Sequence, residues 1–202
     1  MEPAGERVSW FIGGFDVDGD GSPETLLGQE YEPEIFFGPR IKELTFADGE
    51  FEFKEPAVVL PRRFTVPGGI IADLTGDGSP ESAFIRNEIL YIYSGKDALY
   101  KSAKQMGGSI STLTYDIDPK AKNLRTNSVA IEIPPVRADF DKDGIPELIA
   151  VASDRSLLSN SGIAPGIKKT WLTVVKYENG QFSEGTLGDE IKTPIQGLDV
   201  YN

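Results

Sequence analysis

The sequence predicts an all-β chain built from repeated sheets, and three observations carry that expectation. One nine-residue acidic stretch occurs three times, as Asp16-Val17-Asp18-Gly19-Asp20-Gly21-Ser22-Pro23-Glu24, Asp73-Leu74-Thr75-Gly76-Asp77-Gly78-Ser79-Pro80-Glu81 and Asp139-Phe140-Asp141-Lys142-Asp143-Gly144-Ile145-Pro146-Glu147. The copies begin 57 residues apart (16 to 73) and then 66 apart (73 to 139), which is the spacing of a repeat architecture. The runs that follow them, Thr25-Leu26-Leu27-Gly28, Ser82-Ala83-Phe84-Ile85 and Leu148-Ile149-Ala150-Val151, are short and apolar, of strand rather than amphipathic-helix type. Finally, Asp48-Gly49 and Asn179-Gly180 lie between alternating runs, the strongest short-range hairpin signal.

Taken in order, residues 8–15 read as a strand entering the first acidic stretch and 25–28 as the strand leaving it. Ile35-Phe36-Phe37 is a further apolar piece, expected to end at the breaker pair Gly38-Pro39. Lys42–Phe46 and Glu50–Phe53 flank Asp48-Gly49, so the first unit holds about four strands, the content of a propeller blade. The second unit enters near 65–72, leaves by Ser82–Asn87, and continues with Leu90–Tyr93 up to the turn at Ser94-Gly95. Tyr91 and Tyr93 share one face at period two, which favours packing between sheets over a sugar platform. Lys96–Met106 fits either a short helix or an outer strand. Ile110–Tyr115 and Ser128–Ile133 read as additional strands joined through 116–127, where Asp116 and Asp118 form a turn because neither Gly nor a closing acid follows.

The third unit enters at Val136–Ala138 and leaves by Leu148–Ala152. Residues 155–166, rich in Ser, Asn, Gly and Pro, read as a long loop, and 171–177 as a clear alternating strand that returns at Gln181–Ser183. Ile195-Gln196-Gly197-Leu198-Asp199 is similar to the lead-ins before Asp73 and Asp139, and Asp199 falls 60 residues after Asp139. The expectation is one domain over 1–202, with repeats at 1–60, 61–133 and 134–192 and a degenerate fourth unit at 193–202.

The acidic stretches suit a hard divalent cation, which takes about six to eight oxygens, and Ca²⁺ tolerates irregular geometry. Oxygen side chains at positions 1, 3 and 5 (Asp16, Asp18 and Asp20; Asp73, Thr75 and Asp77; Asp139, Asp141 and Asp143) can converge if the chain curls tightly. Gly at position 6 permits that curl through positive φ. The curl turns the backbone carbonyls of Ser22, Ser79 and Ile145 inward, and Pro at position 8 needs no acceptor for an N–H it lacks. Glu24, Glu81 and Glu147 then close the three shells. Thr75 removes one charge, so the second corner is expected to hold an ion less firmly than the other two. An EF-hand is excluded, because its twelfth position is a bidentate Glu, and here that position is Leu27, Phe84 or Ala150.

Strand, Asp-x-Asp-x-Asp-Gly-x-Pro-acid, strand resembles the FG-GAP/VCBS repeat, the family that includes the calcium-binding blades of the integrin α-subunit propeller. The lead-ins Phe11-Ile12-Gly13-Gly14-Phe15 and Pro67-Gly68-Gly69-Ile70-Ile71-Ala72 fit it as well. The chain departs from the family pattern in having Glu where Asp is usual at position 9. The resemblance covers the three loops with their flanking strands and implies a β-propeller or partial propeller, up to three Ca²⁺ ions, and a role in adhesion, assembly or ligand display.

Composition narrows the function. The 202 residues are 39% hydrophobic and 26% charged, a globular balance. The formal charge is −12, and the three stretches hold eleven of the acids; three Ca²⁺ would bring it to −6. Such acidity argues against a nucleic-acid partner. Cysteine and histidine are absent, which removes thiolate chemistry and the commonest general base. No apolar run approaches the roughly 20 residues of a membrane span. No signal peptide is legible after Met1, and the chain is expected to be part of a longer secreted, periplasmic or surface protein. The expected function is a calcium-stabilised interaction or scaffold module with a protein or glycan partner and no catalytic residues. The alternatives are a propeller enzyme acting on polysaccharide and a structural spacer.

Overall fold

The computed structural model describes residues 9–47, 49–107, 112–118, 125–155 and 167–200. Their regular structure is β throughout, apart from one 3-10 turn at Val66–Gly68. Three four-stranded antiparallel sheets follow one another along the chain, each a simple meander in sequence order. Sheet A contains β1 (Trp10–Phe15), β2 (Thr25–Glu32), β3 (Phe36–Ala47) and β4 (Glu50–Lys54). Sheet B contains β5 (Gly69–Ala72), β6 (Glu81–Arg86), β7 (Ile89–Ser94) and β8 (Asp97–Lys101). A two-stranded ribbon of β9 (Thr112–Asp116) and β10 (Thr126–Ala130) precedes sheet C. Sheet C contains β11 (Val136–Ala138), β12 (Glu147–Arg155), β13 (Ile167–Glu178) and β14 (Gln181–Ile191). The chain is therefore all-β, with one acidic corner between the first and second strands of each large sheet.

The turns follow from residues that tolerate left-handed backbone. Asn179 and Gly180 have φ of 52° and 81° and join Glu178 to its partner Gln181, a primed hairpin turn whose twist matches the strands. Asn87 and Glu88, at φ 52° and 63°, do the same between Arg86 and Ile89. Gly38-Pro39 does not end a strand as expected. The ladder between Gln29–Ile41 and Tyr31–Phe37 is irregular there, and that bulge accommodates a proline with no N–H to pair. Lys96–Met106 resolves into the outer strand β8 followed by a turn. Of the long loop expected at 155–166, Arg155 instead ends β12 and 156–166 lies outside the described residues, while 192–200 carries no strand.

Two apolar cores lie between sheets rather than within one. Phe15 and Leu27 of sheet A pack with Phe64, Val66, Ile71 and Phe84, and Tyr91 and Tyr93 pack against this cluster as the alternation implied. Ala72, Ala83, Ile85, Leu90 and Ile92 of sheet B pack with Leu148, Ala150, Ala152 and Val175 of sheet C. Gln29, fully buried, ties the first core together: its Nε2 donates to the carbonyls of Gly38 (2.8 Å) and Phe64 (3.0 Å), and its Oε1 accepts the Val66 N–H at 2.9 Å. Tyr100 of β8 donates to Glu184 Oε2 of β14 at 2.7 Å across the second.

Candidate metal centres

The first two corners are wired by closely similar backbone bonds, and the third by a variant of them. The Asp at position 1 accepts from several N–H groups: Asp16 from Gly19 (2.8 Å) and Gly21 (3.0 Å), Asp73 from Thr75 (3.3 Å), Gly76 (2.7 Å) and Gly78 (2.9 Å), Asp139 from Asp143 (3.2 Å) and Gly144 (3.1 Å). The Asp at position 5 accepts the N–H of position 7: Asp20 from Ser22, Asp77 from Ser79, Asp143 from Ile145. The closing Glu reaches back to the N–H of position 2: Glu24 to Val17 at 2.8 Å, Glu81 to Leu74 at 2.9 Å, Glu147 to Phe140 at 2.9 Å. Gly21, Gly78 and Gly144 take φ of 92°, 83° and 90°, the positive values expected at position 6. Position 4 is also left-handed, at Gly19, Gly76 and Lys142, which the sequence reading did not anticipate.

This wiring turns side-chain oxygens toward one another. Ligand oxygens of Asp16, Asp18 and Glu24 lie within 4.8 Å of each other, as do those of Asp139, Asp141 and Glu147. Positions 1, 3 and 9 are thus brought together in the first and third corners, while Asp20 and Asp143 stand outside these groups. In the second corner the third position is Thr75, so only Asp73, Asp77 and Glu81 are carboxylates.

The three corners differ in what balances their charge. Arg137 of β11 donates from Nη2 to Asp16 Oδ2 at 2.6 Å, linking sheet C to the first corner. Burial acts to raise the Asp16 pKa, but the Arg137 hydrogen bond and the Gly19 and Gly21 N–H groups hold it below the ordinary carboxylate range. In the third corner the Lys176 ammonium, from β13, contacts Asp141, lies 2.9 Å from Asp143 Oδ2 and 3.1 Å from Glu147 Oε1, and is 3.9 Å from Glu178. The Asp141 and Asp143 hydrogen bonds raise the Lys176 pKa, so it is a fixed positive charge at neutral pH. The same contact with Lys176 lowers the Asp143 pKa.

No basic side chain pairs with the second corner among the described residues. Glu81 is 1% exposed, and burial raises its pKa despite the Leu74 N–H, with the charges of Asp77 and Asp73 adding to the rise. Its Oε1 and the Thr75 Oγ1 are both buried, and the Thr75 hydroxyl beside Glu81 offsets part of that rise. A buried carboxylate costs stability unless a cation meets it. The donor set there, three carboxylates and a hydroxyl, is all hard oxygen, which suits Ca²⁺ or Mg²⁺ and not a thiophilic metal. The carboxylate oxygens that converge are those of the first corner, which would hold a divalent ion beside Arg137, and those of the third, which already surround an ammonium; among the described residues the three carboxylates of the second corner form no such group.

Arg137 and Lys176 were missed from the sequence. The available signal was Lys176 itself, a charge that follows the apolar pair Val174-Val175 in the alternating strand. No helix among the described residues is long and apolar enough to cross a membrane. Comparison of the chain with protein-family models, with curated proteins and with solved structures finds no match.

Proposed function

We propose that the chain is a calcium-binding repeat module of propeller-blade type, as the FG-GAP/VCBS resemblance implies, serving as a non-catalytic interaction or scaffold domain of a secreted or cell-envelope protein. The observation that carries the reading is the convergence, within 4.8 Å, of ligand oxygens from Asp16, Asp18 and Glu24 in the first corner and from Asp139, Asp141 and Glu147 in the third. The repetition of the acidic corner at the same strand junction in three successive four-stranded meanders supports it. A cation there would join the first two strands of its sheet, and binding to the folded state adds stability by mass action. Corner sites of extracellular modules bind at about 10⁻⁴–10⁻³ M, a range matched to millimolar calcium outside the cytoplasm. The conspicuous carboxylates are already engaged as backbone acceptors, which favours a structural over a catalytic role for them.

On this reading the first corner holds an ion beside Arg137, and Lys176 stands in for an ion at the third. Equilibrium dialysis against calcium, with the metal on the two sides compared by elemental mass spectrometry, measures the stoichiometry, and at least one ion per chain is the expected value. Thermal melting with and without EDTA tests the structural role. An unchanged melting temperature after chelation, together with no bound calcium, removes the proposal.

A further inference from the structure

The end of β6 opposite the second corner gathers positive charge. Arg62 and Arg63 come from the segment between β4 and β5, and Arg86 is the last residue of β6. The three line one cavity of about 300 Å³ together with Phe37, Asn87 and Tyr91. Arg40 and Arg137 are ion-paired to Glu30 and Asp16. Arg62, Arg63 and Arg86, in contrast, have no carboxylate partner among the described residues. Their contacts are an approach of Arg63 to the Tyr91 ring at 5.9 Å and a hydrogen bond from Arg86 Nη1 to the Arg63 carbonyl at 3.3 Å. Burial, and then the charge of Arg63, lowers the Arg86 pKa, as expected when two guanidinium groups share a half-buried wall without an anion.

A second chamber of about 140 Å³ shares Ile35, Phe37, Arg86 and Asn87 with the first. Its wall includes Thr65, a residue 3% exposed whose hydroxyl has no hydrogen-bond partner, and Tyr115 from the β9–β10 ribbon. Glu132 also faces this chamber, with its Oε1 accepting the Glu88 N–H at 3.1 Å. A negative group is therefore favoured in the arginine chamber and disfavoured in its neighbour. The six residues of β6 place the arginines about 17 Å from the acidic corner, beyond the Debye length of about 8 Å at physiological salt.

We propose that this two-chambered groove binds an organic anion, with a carboxylate or sulfate group held between Arg63 and Arg86 and an uncharged body lying along Ile35 and Phe37 toward Thr65. Arginine forks match such planar or tetrahedral oxygen groups by paired N–H donation, which a lysine does not reproduce. Unpaired arginines in a chain of charge −12 are the complement of that ligand and not of the protein's own surface. The inference is independent of the calcium reading.

The test uses the whole chain with sodium sulfate and sodium succinate as probes, each titrated at constant ionic strength against chloride. The readout is the side-chain Nε–H resonances of the arginines. Saturable shifts confined to Arg63 and Arg86 are expected with at least one probe, and the responding probe identifies the group preferred. Arg63 is exposed, so R63Q retains the fold; it is expected to weaken binding at least tenfold, whereas R40Q leaves it unchanged. R86K, which keeps the charge and loses the fork, is expected to weaken it as well. A linear response that chloride reproduces, or equal affinity in R63Q, overturns the proposal.

Discussion

Glu81 is almost wholly buried and faces two further acids, Asp77 and Asp73. Its raised pKa has a definite sign in calcium-free protein. Stability that depends on the neutral form is complete below the ordinary glutamate range and is lost as pH rises through the raised value. Glu81→Gln is therefore expected to melt above the wild type at pH 7 in EDTA, with the difference vanishing in acid. In calcium the order should reverse, because the amide loses most of the ion's attraction. Lys176→Met gives the opposite pattern at the third corner: lower stability without calcium, and one additional ion per chain with it, counted by mass spectrometry. The carboxylates at positions 1, 3, 5 and 9 were legible because their spacing is local. Arg137 and Lys176 were not, because long side chains reach the corners from strands whose placement depends on the packed sheets.

At the scale of elements, the hairpins that pair Ala47 with Glu50 and Glu178 with Gln181 could be read directly, since two-residue turns are encoded by the residues that make them. The strand through Gly38-Pro39 could not, because a bulge against β2 absorbs what the local residues alone would break. Gln29 is the central joint between sheets A and B. Gln29→Ala would leave the Val66 N–H and the Gly38 and Phe64 carbonyls unpaired, and a loss of about 2–4 kcal/mol in denaturant unfolding is expected. Between sheets B and C, Tyr100→Phe removes a hydrogen bond to a charged carboxylate while keeping the ring against Phe182, and about 1–2 kcal/mol is expected by the same measurement.

Across the whole molecule, charge is divided between opposite ends of the strands. The acidic corners lie where the first strand of each sheet turns into the second, and residues of all three corners, with Arg137, line one cleft of about 580 Å³. The unpaired arginines lie at the other end of β6. The corners are also in mechanical contact. A Cβ added at Gly76, where φ is +75°, would come within 2.8 Å of Ile145 in the neighbouring corner. Gly76→Ala is therefore expected to disturb two corners at once, seen as altered amide resonances across both 73–81 and 139–147. For anyone grafting these turns onto a foreign scaffold, the interlock sets the smallest transplantable part: the second turn travels with the third, or it arrives without the wall that shapes it.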